Sequence, residues 1–145
     1  MKLTIQQDTA QTEVEIIIKC GLVDEKLQRL IDQIRLCTFS ITAKKEGASH
    51  VIPMEEVYYC EALEERTFLY CEKDVYECSQ RLYELEAQLA DTSFIRVSKS
   101  IILNIDHLAC VRPMAGLRLE AQLENGEKLT INRHYVGAFK EKFGL

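Results

Sequence analysis

A chain of 145 residues, 47% of them hydrophobic, is long enough to bury a real core and short enough for one domain, with or without an extension. Its 18 Lys and Arg against 23 Asp and Glu give a formal charge of −5, which argues against tight, indiscriminate binding to nucleic acid. The charge is uneven: residues 1–43 carry 5 cations and 6 acids, 44–90 carry 5 and 11, and 91–145 carry 8 and 6, so only the last segment is net positive.

In chain order, the β-branched run Val14–Cys20 reads as a buried strand, ended by Gly21. Leu27, Leu30, Ile31 and Ile34 then recur at helical spacing from Asp24 to Leu36, with Asp24 and Glu25 at the positive end of the dipole. Thr38–Ala43 alternates as a second strand, which makes a parallel βαβ-like unit the expected form of residues 1–45. Lys44–Ser49, charged and rich in small residues, is the expected linker.

Residues 46–145 read as a second, strand-rich unit. A proline bend at Pro53 precedes a strand ending near Glu61, Glu61–Arg66 forms a turn, and Thr67–Cys71 and Val75–Cys78 follow as strands. Ser79 is positioned to cap a short helix with Leu82, Leu85 and Leu89 on one face. After strands through Phe94–Asn104 and His107–Val111, alternating residues flank Asn125-Gly126, a type I′ hairpin signal, before a last helix striped by Val136, Phe139 and Phe143.

The six cysteines form no Cys-x-x-Cys pair, the N-terminus lacks an apolar core of signal-peptide length, and no stretch approaches a membrane span. Reduced, buried thiols in a cytoplasmic protein are the expectation. His50, His107 and His134 show no ligand spacing, so no metal or cofactor is expected. Glu55, Glu56, Glu61, Glu64 and Glu65 have neither a cationic partner nor a phosphate-binding loop beside them; a charged strand edge accounts for them, and no enzyme is expected.

Two polar clusters carry the functional signal. Phe94-Ile95-Arg96-Val97-Ser98-Lys99-Ser100 sets cations and hydroxyls before an apolar strand ending in Asn104. Ile131-Asn132-Arg133-His134-Tyr135 does the same where a hairpin hands over to a helix. Lys and Arg neutralise phosphates, and Arg also reads guanine bidentately. Asn132 is suited to cap the final helix, from whose first turn Arg133 would project, with its N–H groups aimed at phosphate.

Both clusters, in this order and at this separation, resemble the LytTR family of bacterial DNA-binding domains over the region from His50 to the C-terminus. The resemblance implies an α+β, mostly antiparallel β fold with short helices, whose loops rather than a recognition helix enter successive major grooves. It places Ser98, Lys99 and Ser100 in one such loop, and Asn132, Arg133 and His134 at a second contact. The family often has His-Arg or His-Lys where Ser98-Lys99 stand, so one possible base contact is missing here. Ser100 fits a phosphate contact or a structural hydrogen bond, and His134 fits a phosphate contact or free solvation. The third family contact falls on Leu63–Thr67, where Arg66 and Thr67 are the candidates and Glu64-Glu65 are a departure. Arg66 there suits a phosphate or a local pair with Glu.

The expected function is thus a stand-alone transcriptional regulator that binds double-stranded promoter DNA sequence-specifically, as a homodimer. The roughly 45 residues before the second unit are too few for the receiver domain that many family members carry. They are the candidate dimer contact or partner surface. The alternative is a protein-interaction or ligand-sensing β module that has lost DNA binding, favoured by the net charge and the acidic turn.

Overall fold

The computed structural model describes all 145 residues. Residues 1–24 contain no helix or strand. Helix α1 (Glu25–Cys37) follows, its first turn fixed by the Asp24 carboxylate, which accepts a hydrogen bond from the Leu27 N–H at 2.8 Å. Next come β1 (Ser40–Lys45), β2 (Ala48–Pro53), a single 3-10 turn at Met54–Glu56, β3 (Tyr59–Leu63), β4 (Arg66–Tyr70), β5 (Val75–Cys78), α2 (Leu82–Gln88), β6 (Phe94–Arg96) and β7 (Ile101–Asn104). After a 3-10 turn at Ile105–His107 the chain ends with β8 (Leu108–Met114), β9 (Arg118–Leu123), β10 (Lys128–Ile131) and α3 (Arg133–Phe143).

Seven strands form one sheet in the order β2-β1-β5-β4-β3-β7-β6, and three form a second in the order β10-β9-β8; all pairs are antiparallel. The pleat sends neighbouring residues to opposite faces of the large sheet, and so to two cores. Cys60, Leu69 and Ile102 join Leu36 of α1 and Leu82, Leu85 and Leu89 of the α2 region on one face. Tyr59 and Leu103 join Leu119, Ala121, Leu123 and Ile131 of the small sheet, and Phe139 of α3, on the other. The mostly antiparallel β architecture with short helices is the one expected.

The N-terminal βαβ-like reading is corrected at its first strand. Val14–Cys20 pairs with nothing, because β1 is flanked on both sides by β2 and β5 and leaves no edge for a parallel neighbour. The expected linker is a hairpin instead. Lys45 pairs with Ala48, and Glu46 (φ 50°) and Gly47 (φ 78°) make the two-residue turn with positive φ at both positions. The division placed at residue 45 therefore crosses a hairpin of one continuous sheet.

Two local readings also change. At Asn125-Gly126 only Gly126 has positive φ (91°). The Gly126 N–H donates to the Leu123 carbonyl at 3.0 Å, and the Leu123 N–H to the Glu127 carbonyl at 2.8 Å, a type I turn with a glycine bulge rather than type I′. Helix α2 starts from Arg81 rather than Ser79, with the Arg81 N–H donating to the Glu84 carboxylate at 3.4 Å. Pro113 lies inside β8, which tolerates it as an edge strand of the small sheet.

Asn104 joins the pieces. It is fully buried, its amide donates to the Val57 carbonyl (2.9 Å), and its side-chain oxygen accepts from the Ser93 hydroxyl (2.7 Å) and the Asp106 N–H (3.1 Å). With donor and acceptor sides both satisfied, this side chain fixes the end of β7 against two other segments.

Candidate nucleic-acid interface

Backbone hydrogen bonds bring three loops to one rim of the molecule. β3 pairs with β7 so that Glu61 faces Ile101, and the Ala62 N–H donates to the Ser100 carbonyl at 2.8 Å. The β3–β4 turn therefore lies beside the 97–100 loop. On the far side of that loop, the Asn132 N–H donates to the Val97 carbonyl at 3.0 Å, which ties the β10–α3 junction to it. Ser98, Lys99, Ser100 and Ile101 line a shallow groove together with Lys128, Thr130, Asn132, His134 and Tyr135. The two clusters, about thirty residues apart in the chain, are thus one surface.

The 97–100 loop is held by Arg96. Its guanidinium donates to the Ser98 carbonyl at 2.7 Å and to the Lys99 carbonyl, and pairs with Glu86 of α2 at 3.2 Å. Arg96 is half-buried and spent on its own loop, so the cation left facing solvent is Lys99. Ser98 is 8% exposed, and its hydroxyl accepts from the Ser100 N–H at 3.2 Å. Ser98, expected as a DNA contact, here closes the turn with its hydroxyl. Ser100 is half-buried, 3.5 Å from the Ser98 hydroxyl, and fits the structural alternative for that residue.

At the β10–α3 junction, Asn132, Arg133 and His134 are all exposed. Asn132 occupies the cap position by its backbone, at φ −68° and ψ 149°, but its side chain makes no capping bond, contrary to expectation. Its carbonyl accepts from the Tyr135 N–H at 2.8 Å, whereas the N–H groups of Arg133 and His134 have no acceptor in the chain. No acid stands in the first turn of α3 to satisfy them. A helix start with free donors, the positive end of the dipole and a guanidinium beside it suits an anionic oxygen.

The β3–β4 turn is less suited. Arg66 is exposed, but its guanidinium lies 3.5 Å from Glu77, the local pairing that is the alternative to a phosphate contact. Thr67, the other expected contact of this turn, is buried at 3%, since the alternation that puts Arg66 outside turns Thr67 inside. Glu64 (φ 49°) and Glu65 (φ 68°) occupy the turn itself, with the Arg81 guanidinium donating to the Glu65 carbonyl at 3.4 Å.

Sequence reasoning missed Lys128. It stands on the groove wall, largely exposed and 3.5 Å from Glu120. Alternation along β10, with Ile131 buried, was the signal that could have found it. The cysteine expectation holds for Cys60 and Cys78, which are buried, while Cys20, Cys37 and Cys110 are exposed. No helix is long and apolar enough to cross a membrane.

Residues 47–144 match the family model of the LytTr DNA-binding domain. The sensory transduction protein LytT of Enterococcus faecalis is 30% identical over 106 residues, 73% of this chain and 44% of that protein. The transcriptional regulatory protein LytR of Staphylococcus aureus is 33% identical over 70 residues, 48% of this chain and 28% of its own length. The chain thus spans less than half of these relatives. A solved LytTr DNA-binding domain from Bacillus cereus superposes with a TM-score of 0.69 and 26% identity, covering 73% of this chain and 97% of that one. With two thirds of its residues inside the family model and that model's fold reproduced, the chain belongs to the LytTR family of DNA-binding domains.

Proposed function

We propose that the chain is a cytoplasmic transcriptional regulator that reads double-stranded promoter DNA as a homodimer, with the rim of three loops facing successive major grooves. The single observation that carries this reading is the Asn132 N–H to Val97 carbonyl bond, which unites the Lys99 loop and the Arg133 junction. Lys99 and Lys128 supply charge toward phosphate, and the free N–H groups of Arg133 and His134 receive a phosphate oxygen. Arg133 reads guanine O6 and N7 with its two-pronged donor edge. Strand β10 and helix α3 fix both ends of the junction, so the fork is presented without ordering a long loop.

Electrophoretic shift against the protein's own upstream promoter tests this. Arg133→Ala is expected to cost about 1–3 kcal/mol at the specific site and to change nonspecific binding much less. Arg133→Lys is expected not to restore discrimination, because an ammonium lacks the fork. Undiminished selectivity in a folded Arg133→Ala protein removes Arg133 from the reading surface.

A second reading, a protein-interaction or ligand-sensing module without DNA binding, is favoured by one observation: Glu64 and Glu65 stand at the rim and repel phosphate. No shift of any promoter fragment at low salt would favour it.

A further inference from the structure

Residues 12–23 make no backbone hydrogen bond with any part of the chain. Yet they contain seven residues, Val14-Glu15-Ile16-Ile17-Ile18-Lys19-Cys20, with strong strand propensity. Val14, Ile16 and Ile17 are 93%, 59% and 70% exposed. Isolated β-branched residues on a surface need no explanation, but a contiguous run with every backbone group unpaired does.

The run has an internal symmetry. About Ile17, Glu15 and Lys19 are equidistant and oppositely charged, as Ile16 is matched by Ile18 and Val14 by Cys20. In an antiparallel pair of two identical strands centred on Ile17, Ile17 faces Ile17, Ile16 faces Ile18, and Glu15 of each copy faces Lys19 of the other. Both charges are then neutralised across the two-fold axis. Alternation places Val14, Ile16, Ile18 and Cys20 of each copy on one continuous apolar face, with Glu15, Ile17 and Lys19 on the opposite side. In a register slipped by one residue Glu15 faces Ile18 or Cys20, and slipped by two it faces Ile17 or Gly21. None of these sets Glu15 against a cation.

Cover for the apolar face is close at hand. Helix α1 begins at Glu25, a short connection after Cys20, and its stripe of Leu27, Leu30, Ile31 and Ile34 is only partly buried in the monomer, with Leu30 38% exposed. Two short strands alone are marginal in water, and two α1 helices supply the layer such a ribbon requires.

We infer that Val14–Cys20 is a self-complementary strand that pairs antiparallel with the same segment of a second copy, in the register that sets Glu15 against Lys19. The inference rests on the homodimer proposed above and specifies its contact.

Charge exchange in the full-length chain tests it. Sedimentation of the wild type is expected to show a dimer. Glu15→Lys places two Lys pairs across the axis and Lys19→Glu two Glu pairs, and each is expected to weaken dimerisation by about tenfold or more at low salt. The double variant Glu15→Lys, Lys19→Glu restores complementarity and is expected to recover the dimer, which a merely structural effect of either substitution would not do. In a Cys20→Ser, Cys37→Ser, Cys110→Ser background, Ile17→Cys is expected to form an intermolecular disulfide on mild oxidation, since directly opposed residues lie about 4.5–5.5 Å apart. Ile16→Cys is expected not to, being displaced from its own copy. A dimer indifferent to both single exchanges overturns the strand register while leaving the homodimer standing. A monomer at all concentrations overturns both.

Discussion

Lys99 and Arg96 divide the work of one loop between them. Arg96 looks like the stronger phosphate ligand by residue type, but its donors are consumed by the Ser98 and Lys99 carbonyls and by Glu86. The clamp holds the backbone, and the loop presents Lys99, an exposed point charge on a flexible stem. Lysine in that position contributes Coulomb attraction nearly blind to sequence. Lys99→Ala is therefore expected to weaken binding to specific and nonspecific duplexes alike, and to reduce the slope of log affinity against log salt by about one unit. Measured as a salt titration, lost discrimination with an unchanged slope would instead make Lys99 a base reader. The burial of Ser98 and Thr67 belongs to the same scale. The family resemblance marked both as candidates, but accessibility is set by the pleat and by turn closure, which a sequence does not state residue by residue.

At the level of elements, the β3–β4 turn is the clearest conflict between local preference and fold. Leu63 pairs with Arg66, so Glu64 and Glu65 must both adopt positive φ, a conformation that costs a residue with a Cβ about 1–2 kcal/mol. Asparagine followed by glycine is the pair that such a turn prefers. The double substitution Glu64→Asn with Glu65→Gly is therefore expected to stabilise the chain by about 1–2 kcal/mol in urea unfolding. The same double substitution is expected to raise DNA affinity at low salt, since it removes two acids from the rim. Glu64→Gln with Glu65→Gln isolates the charge: affinity rises and stability does not. Unchanged stability in the first variant would mean the turn is not strained. Periodicity made α1, α2, α3 and most strands legible, because each buries one stripe or one alternating face. Residues 44–49 were misread as a linker because Glu46 gives no hairpin signal at the first turn position, where Asn or Gly would. Val14–Cys20 was misread as a strand of the chain's own sheet because propensity names a willing strand and not its neighbour.

Across the whole molecule, the thiols report the burial pattern. Burial pushes the Cys60 and Cys78 thiols up, and that of Cys71 up to about 11, with Glu56 and Asp74 adding to the Cys71 shift. At pH ~8, Cys37 and Cys110 are expected to react quickly with a thiol reagent, and Cys60, Cys71 and Cys78 slowly at any protein concentration. Cys20 is expected to be quick in dilute protein and slow in the dimer. Protection of Cys110, or ready labelling of Cys60, would contradict the arrangement of the two cores. The same shifts predict alkaline sensitivity. The folded chain holds protons that the unfolded chain releases, so this contribution to stability is complete below the ordinary thiol range, near pH ~8.5. It is lost as pH rises toward the Cys71 value and that of Tyr70, which burial and the neighbouring Glu61 push up to about 12.

The three loops of the rim are proposed to form a single DNA-reading surface. Its most direct measurement is an amide chemical-shift map of the full-length protein titrated with a promoter duplex. Perturbations are expected to concentrate at Ser98–Ile101 and Asn132–Tyr135, strongest at the free N–H groups of Arg133 and His134, with weaker ones at Leu63–Arg66. Perturbations confined to β8 or α2, or none at low salt, would contradict it.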